Sequence, residues 1–185
     1  MVKIVGICGP MRSGKTTVAN LFMKNLPNAH SISFALAVRN QVARGMNIKT
    51  SELGSFDKNV IRPVLQAWGH GMRTLFGSDY WVTTLAQDPF WTFIDSDSVV
   101  FIDDVRYLNE INWILHNGGC VIKLWCDVDT RISRGASPDP ELINHESETS
   151  LDGFSTYLKE IDTSFMLPHQ LYAEVHEVLT NAEVI

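Results

Sequence analysis

The chain has 185 residues, 45% of them hydrophobic and 19% charged, which suits one globular domain with a full core and excludes a disordered or fibrous polymer. Its 15 Lys and Arg against 21 Asp and Glu leave a net charge of −6, where a duplex-DNA binder would show a basic surplus. No stretch approaches the length of a membrane span, and the apolar start is too short for a secretion signal.

Residues 2–8 are short, apolar and β-branched, and read as a buried strand. Gly9-Pro10-Met11-Arg12-Ser13-Gly14-Lys15-Thr16 follows, the phosphate-binding pattern G-x-x-x-x-G-K-[ST]. Val18, Leu21, Phe22 and Leu26 then recur at helical spacing over 15–26. Residues 31–34 form a second strand and 35 to about 46 a helix. Residues 47–58 read as a loop, and helical signal returns over 61–76. Residues 98–103 are a buried strand ending in acids. A helix over 107–117 is closed by Gly118-Gly119, and 120–125 is another strand. Residues 127–153 are polar, and a last helix runs from about 168 to 179. Strands alternating with helices predict an α/β fold with a mainly parallel central sheet of about five strands, flanked by helices. Its ligands belong beyond the carboxyl ends of the strands. The three cysteines, Cys8, Cys120 and Cys126, form no C-x-x-C pair and read as buried, reduced thiols of a cytoplasmic protein.

The strand–loop–helix context gives the glycine pattern its chemistry. Glycines let several backbone N–H groups converge on one phosphate, and the helix N-terminus adds partial positive charge. Lys15 reaches the β- and γ-phosphates, and the Thr16 hydroxyl ligates Mg²⁺. Gly9, Arg12, Ser13, Gly14, Lys15, Thr16 and Thr17 are therefore the expected ATP contacts. Over 61–76, Arg62, Gln66, Gly69 and Arg73 share a strip beside an apolar stripe. They could hold a phosphate and a base edge, or form a solvated face. Pro63 leaves Arg62 either on the strip or at the helix cap. Asp103 and Asp104 end a strand where an acid serves Mg²⁺, and the residues alone do not say which. Arg106 and Glu110 are four apart, the spacing of a surface salt bridge. Arg131 and Arg134 share a face and suit a transferring phosphoryl group, unless they are solvated loop arginines. His145-Glu146-Ser147-Glu148 lacks zinc spacing. Trp91 and Trp113 read as core, and Trp81 as a test case for base stacking.

These motifs, in order, resemble the bacteriophage-type deoxynucleoside monophosphate kinases, a branch of the P-loop kinases. The likeness covers about residues 2–150. It rests on 9–17, Phe34-Ala35-x-x-x-Arg39, Arg62-x-x-Leu65-Gln66-x-x-Gly69-x-x-x-Arg73, Gly77-x-Asp79-Tyr80-Trp81-Val82, Asp104-Val105-Arg106-Tyr107-x-Asn109-Glu110 and His145-x-Ser147-Glu148. The resemblance implies a P-loop kinase domain over 1–185, with a monophosphate-binding helical segment at about 35–90 and a lid at about 127–150. It implies ATP and Mg²⁺ as cofactors and a deoxynucleoside 5′-monophosphate as acceptor. Acceptor contacts would be Arg39, Arg62, Gln66, Gly69, Arg73, Trp81, Asp104, Arg106 and Glu110. Lys15, Arg131, Arg134 and Asp104 form the expected catalytic set, and Thr16 with Asp103 the metal site. Thr16 stands where the family often has an acid, and Arg39 where it often has Lys. The partners expected are nucleotides, with no stable nucleic-acid binding, no membrane and a compatible homodimer. A related kinase acting on a hydroxymethylated base in DNA and a non-catalytic nucleotide-binding module are the alternatives.

Overall fold

The computed structural model describes residues 1–136, 139 and 146–185. It forms two compact units, residues 1–32 with 94–185, and residues 33–93. The first holds one five-stranded, all-parallel sheet in the order β2-β3-β1-β4-β5. Its strands are β1 (Lys3–Cys8), β2 (Ala29–Ile32), β3 (Val99–Val105), β4 (Cys120–Trp125) and β5 (Lys159–Asp162). The helices of this unit are α1 (Lys15–Asn25), α6 (Leu108–His116), α7 (Val128–Ser133), α8 (Glu146–Thr149) and α9 (Pro168–Asn181). A central parallel strand is covered on both faces and must be apolar throughout. In β1, every residue from Ile4 to Cys8 is buried. Val5, Ile7, Phe101, Ile122 and Leu124 pack with Val18 and Phe22 of α1 and Leu171, Val175 and Leu179 of α9.

The second unit carries α2 (Phe34–Gly45), a 3₁₀ turn (Thr50–Ser55), α3 (Lys58–Phe76), α4 (Tyr80–Ala86) and α5 (Phe90–Phe93). Val42, Ala43, Leu53 and Ile61 form a small core. Polar ties add to it: Gln41 Nε2 donates to Tyr80 Oη (2.8 Å), and Trp68 Nε1 donates to Gln41 Oε1 (3.0 Å).

Several boundaries differ from the sequence reading. The second strand ends at Ile32 because the Ser33 hydroxyl accepts the Leu36 N–H (3.1 Å), which caps α2 and starts it at Phe34. The expected loop at 47–58 contains the 3₁₀ turn, whose Glu52 carboxylate accepts the Lys49 N–H (2.7 Å). Pro63 lies inside α3 rather than at its start, so Arg62 is a helical residue and not a cap. Among the described residues, no helix is long and apolar enough to cross a membrane.

Candidate functional site: an anion cradle at the β1–α1 junction

The chain leaves β1 in a conformation that requires glycine at its first position. Gly9 has φ +132°, and a Cβ there would stand 2.1 Å from the Leu124 carbonyl oxygen. Arg12 (φ +67°) and Gly14 (φ +102°) are also left-handed, and for a non-glycine residue that costs about 1–2 kcal/mol. The result is a tight loop, a backbone shape in which successive N–H groups can form an anion-binding concavity. Gly14 caps α1 without a side-chain hydrogen bond, so the first-turn amides and the helix dipole point at the same place.

Lys15 is only 8% exposed. Its ammonium donates to the carbonyls of Gly9 (2.7 Å) and Pro10 (2.8 Å). Burial, and next the nearby Arg106 guanidinium, pull its pKa down to about 8, while Glu148, Cys8 and Asp103 act the other way. The cradle thus holds a lysine that loses its proton more readily than usual. Burial pushes the Cys8 and Cys120 thiols up to about 11, so they stay protonated and inert.

Asp103 and Asp104 sit at an irregularity in β3. Gly6 pairs with Ile102 and Cys8 with Val105, so two steps along β1 match three along β3. The extra residue turns both half-buried acids out of the regular alternation at the carboxyl end of the strand. The Thr16 and Thr17 side chains are exposed on the first turn of α1. Among the described residues there is no cluster of three or more metal-ligating side chains. One hydroxyl and one carboxylate still suit Mg²⁺, which usually takes only one or two protein oxygens and completes its shell with phosphates and water.

Beyond β3, Arg106 forms an ion pair with Glu148. The other Glu148 oxygen accepts the Met11 N–H at 2.7 Å. A carboxylate therefore already lies on the cradle's backbone, the kind of partner the loop is built to accept. Glu110 is not on the surface. It is 2% exposed, and its carboxylate accepts the N–H groups of Arg106 (2.7 Å) and Tyr107 (3.1 Å), closing the start of α6.

Of the two arginines after β4, Arg131 is buried and Arg134 half-buried, so neither is a fully solvated loop arginine. Arg131 is 7% exposed, and its Nε is buried without a hydrogen-bond partner. Arg134 donates to the Thr163 carbonyl (2.7 Å) and hydroxyl (3.3 Å), so it is anchored to the segment after β5. Of the expected lid, residues 137, 138 and 140–145, His145 included, lie outside the described residues.

In the second unit, Arg62 and Gln66 are exposed on α3, Arg73 is half-buried on the same helix, and Arg39 is exposed on α2. Trp81 is corrected. It is 1% exposed, and its indole N–H donates to the Gly69 carbonyl at 2.9 Å. It packs edge-on against Tyr80. A base-stacking platform needs an open ring face, and Trp81 has none; it joins α4 to α3. Gly69 contributes that carbonyl, and a Cβ built there would meet only Val38 Cγ2 at 3.9 Å.

Two residues of the site escaped sequence reasoning. The Thr163 hydroxyl donates to the Ser13 carbonyl of the loop (2.9 Å), and in the sequence Glu148 stands only within the cluster at 145–148, with no sign of its contact with Met11. A partner 150 positions away leaves no local signal.

No family model matches the sequence, and no curated protein does. Solved structures do share its fold. Shikimate kinase from Aquifex aeolicus superposes with a TM-score of 0.54 at 14% identity, covering 98% of both chains. Shikimate kinase from Acinetobacter baumannii, solved with shikimate, gives 0.54 at 12% identity over 100% of this chain and 97% of the other. The Bacteroides thetaiotaomicron enzyme gives 0.53 at 12% over 98% of each. The architecture is the P-loop kinase fold.

Proposed function

We propose that the protein is a nucleoside monophosphate kinase, transferring the γ-phosphoryl group of ATP to a deoxynucleoside 5′-monophosphate. The observation that carries this reading is the cradle, with Gly9, Gly14 and Lys15 shaping an anion site at a helix N-terminus and Asp103 beside it. The likeness of the motif series to phage-type deoxynucleoside monophosphate kinases supplies the acceptor class. A monophosphate already presents an anionic oxygen as nucleophile, so positioning and charge neutralisation suffice and no strong base is required. The loop amides and Lys15 bind the donor phosphates. Arg106, close enough to Lys15 to lower its pKa, neutralises charge near the transferring group. Of the acceptor contacts expected from the sequence, Arg39, Arg62, Gln66, Gly69, Arg73, Asp104, Arg106 and Glu110 are kept in this reading, and Trp81 is not. Thr16 and Asp103 would hold Mg²⁺, which supplies further neutralisation of phosphate charge when bound.

A coupled ADP-release assay tests this, with the four deoxynucleoside monophosphates, their ribose counterparts, shikimate and hydroxymethylated DNA as acceptors. ADP formation that requires a deoxynucleoside monophosphate is expected. Lys15→Ala should lower kcat by at least ~10²-fold, the scale of losing one preorganised charge-stabilising donor. Stimulation by shikimate or modified DNA alone would replace the acceptor. Tight ATP binding with no acceptor-dependent ADP would leave a binding module.

A further inference from the structure

We propose that Thr163 is a positioning residue for the phosphate cradle, holding the loop's peptide planes from the outer side. The proposal rests on reading the loop as the donor-phosphate site. Thr163 follows β5 and is completely buried. Its own N–H donates to the Trp125 carbonyl at 2.9 Å, which ties it to the end of β4. Its hydroxyl stands 2.9 Å from the Ser13 carbonyl and 3.1 Å from that of Trp125. Arg134 Nη1 approaches the same hydroxyl oxygen at 3.3 Å as a donor. A guanidinium only donates, so the hydroxyl proton is directed to the carbonyls, and the Ser13 oxygen is the nearer.

That bond fixes more than an acceptor. Across a planar trans peptide the carbonyl and the next N–H point in opposite directions. Pulling the Ser13 carbonyl outward therefore turns the Gly14 N–H inward, toward the bound anion. Arg134 Nη1 also lies 3.5 Å from the Arg12 carbonyl, on the neighbouring plane. The two planes lie between the left-handed residues Arg12 and Gly14, and at Arg12, which is not a glycine, that conformation is strained. Thr163 and Arg134 thus brace the strained half of the loop without facing the ligand.

The test is Thr163→Val, which keeps the shape and removes the hydroxyl, beside Thr163→Ser, which restores it. Calorimetric titration with ATP and steady-state kinetics are run at a temperature where each variant is folded. We expect Thr163→Val to raise the Kd and KM for ATP about tenfold, the size of effect that loss of one buried hydrogen bond produces. The acceptor KM should stay within about twofold, and Thr163→Ser should return ATP affinity close to that of the parent. If Thr163→Val does not fold, Thr163→Cys, with a weak S–H donor in similar volume, should still weaken ATP binding at least about threefold. ATP affinity equal to the parent's in a folded Val or Cys variant, or equal weakening for ATP and acceptor, overturns the proposal. Absence of ATP binding by the parent protein would instead overturn the donor-site reading on which it stands.

Discussion

Lys15 carries its charge into a nearly dry loop. With its pKa lowered to about 8, the folded protein binds fewer protons than the unfolded chain between about pH 8 and the ordinary lysine value. Stability therefore rises with pH across that window, as the cost of burying the ammonium is relieved. Ligand binding has the opposite sign, because phosphate selects the charged form. Above pH 8 each ATP must bring a proton to Lys15, so the apparent Kd should climb, approaching about tenfold per pH unit once the lysine is mostly neutral. Titrations at pH 7, 8, 9 and 9.5 measure this, and Lys15→Gln should remove that component of the rise. An unchanged slope in Lys15→Gln would assign the proton to another group. The cradle was legible in the sequence because its eight residues are contiguous and each glycine has a local reason. Its braces were not, since Glu148 reaches Met11 across 137 positions and Thr163 reaches Ser13 across 150.

At the scale of elements, helices and strands with continuous apolar patterns were readable, and the rest were decided by packing. Residues 120–125 form β4 as expected because alternatives to a buried strand are poor for Val121-Ile122 beside Leu124. In β5, only Ile161 is buried, so an edge strand of Lys, Glu, Ile and Asp gives almost no periodic signal. The short helices α4 and α5 fall in a stretch crowded with aromatics, where helical spacing spans too few turns to register. Trp81 shows how such a stretch misleads, since an aromatic near arginines reads as a ligand platform until its burial is known. Its role is to dock α4 on α3, and a substitution can separate that from substrate contact. Trp81→Phe loses the bond to the Gly69 carbonyl and should cost about 1–2 kcal/mol, while Trp81→Ala should cost about 3–5 kcal/mol. Urea unfolding measures both. The acceptor KM of Trp81→Phe should stay near the parent value, and a KM raised tenfold with stability unchanged would return Trp81 to the substrate site.

On the scale of the molecule, every element that builds the cradle belongs to the unit of residues 1–32 and 94–185. β1, α1, β3 and β4, together with the segment after β5, come from one sheet and its covering helices, so ATP binding draws on that unit's own core. The ligand then stabilises by mass action: at about 100 times its Kd it adds roughly 2.7 kcal/mol. For a chain of 185 residues, each kcal/mol moves the midpoint by about 2–4 °C, so ATP should raise Tm by about 5–10 °C. Lys15→Ala should lose most of that rise at the same ATP concentration. Duplex DNA at matched phosphate concentration should give none, because a net charge of −6 offers no electrostatic gain from a polyanion. Scanning calorimetry of the parent and of Lys15→Ala, each with ATP, with DNA and alone, reads all of these outcomes. An equal Tm rise in the parent and in Lys15→Ala would place the nucleotide away from the loop between β1 and α1. A rise produced by DNA and not by ATP would turn the assignment toward a polynucleotide ligand.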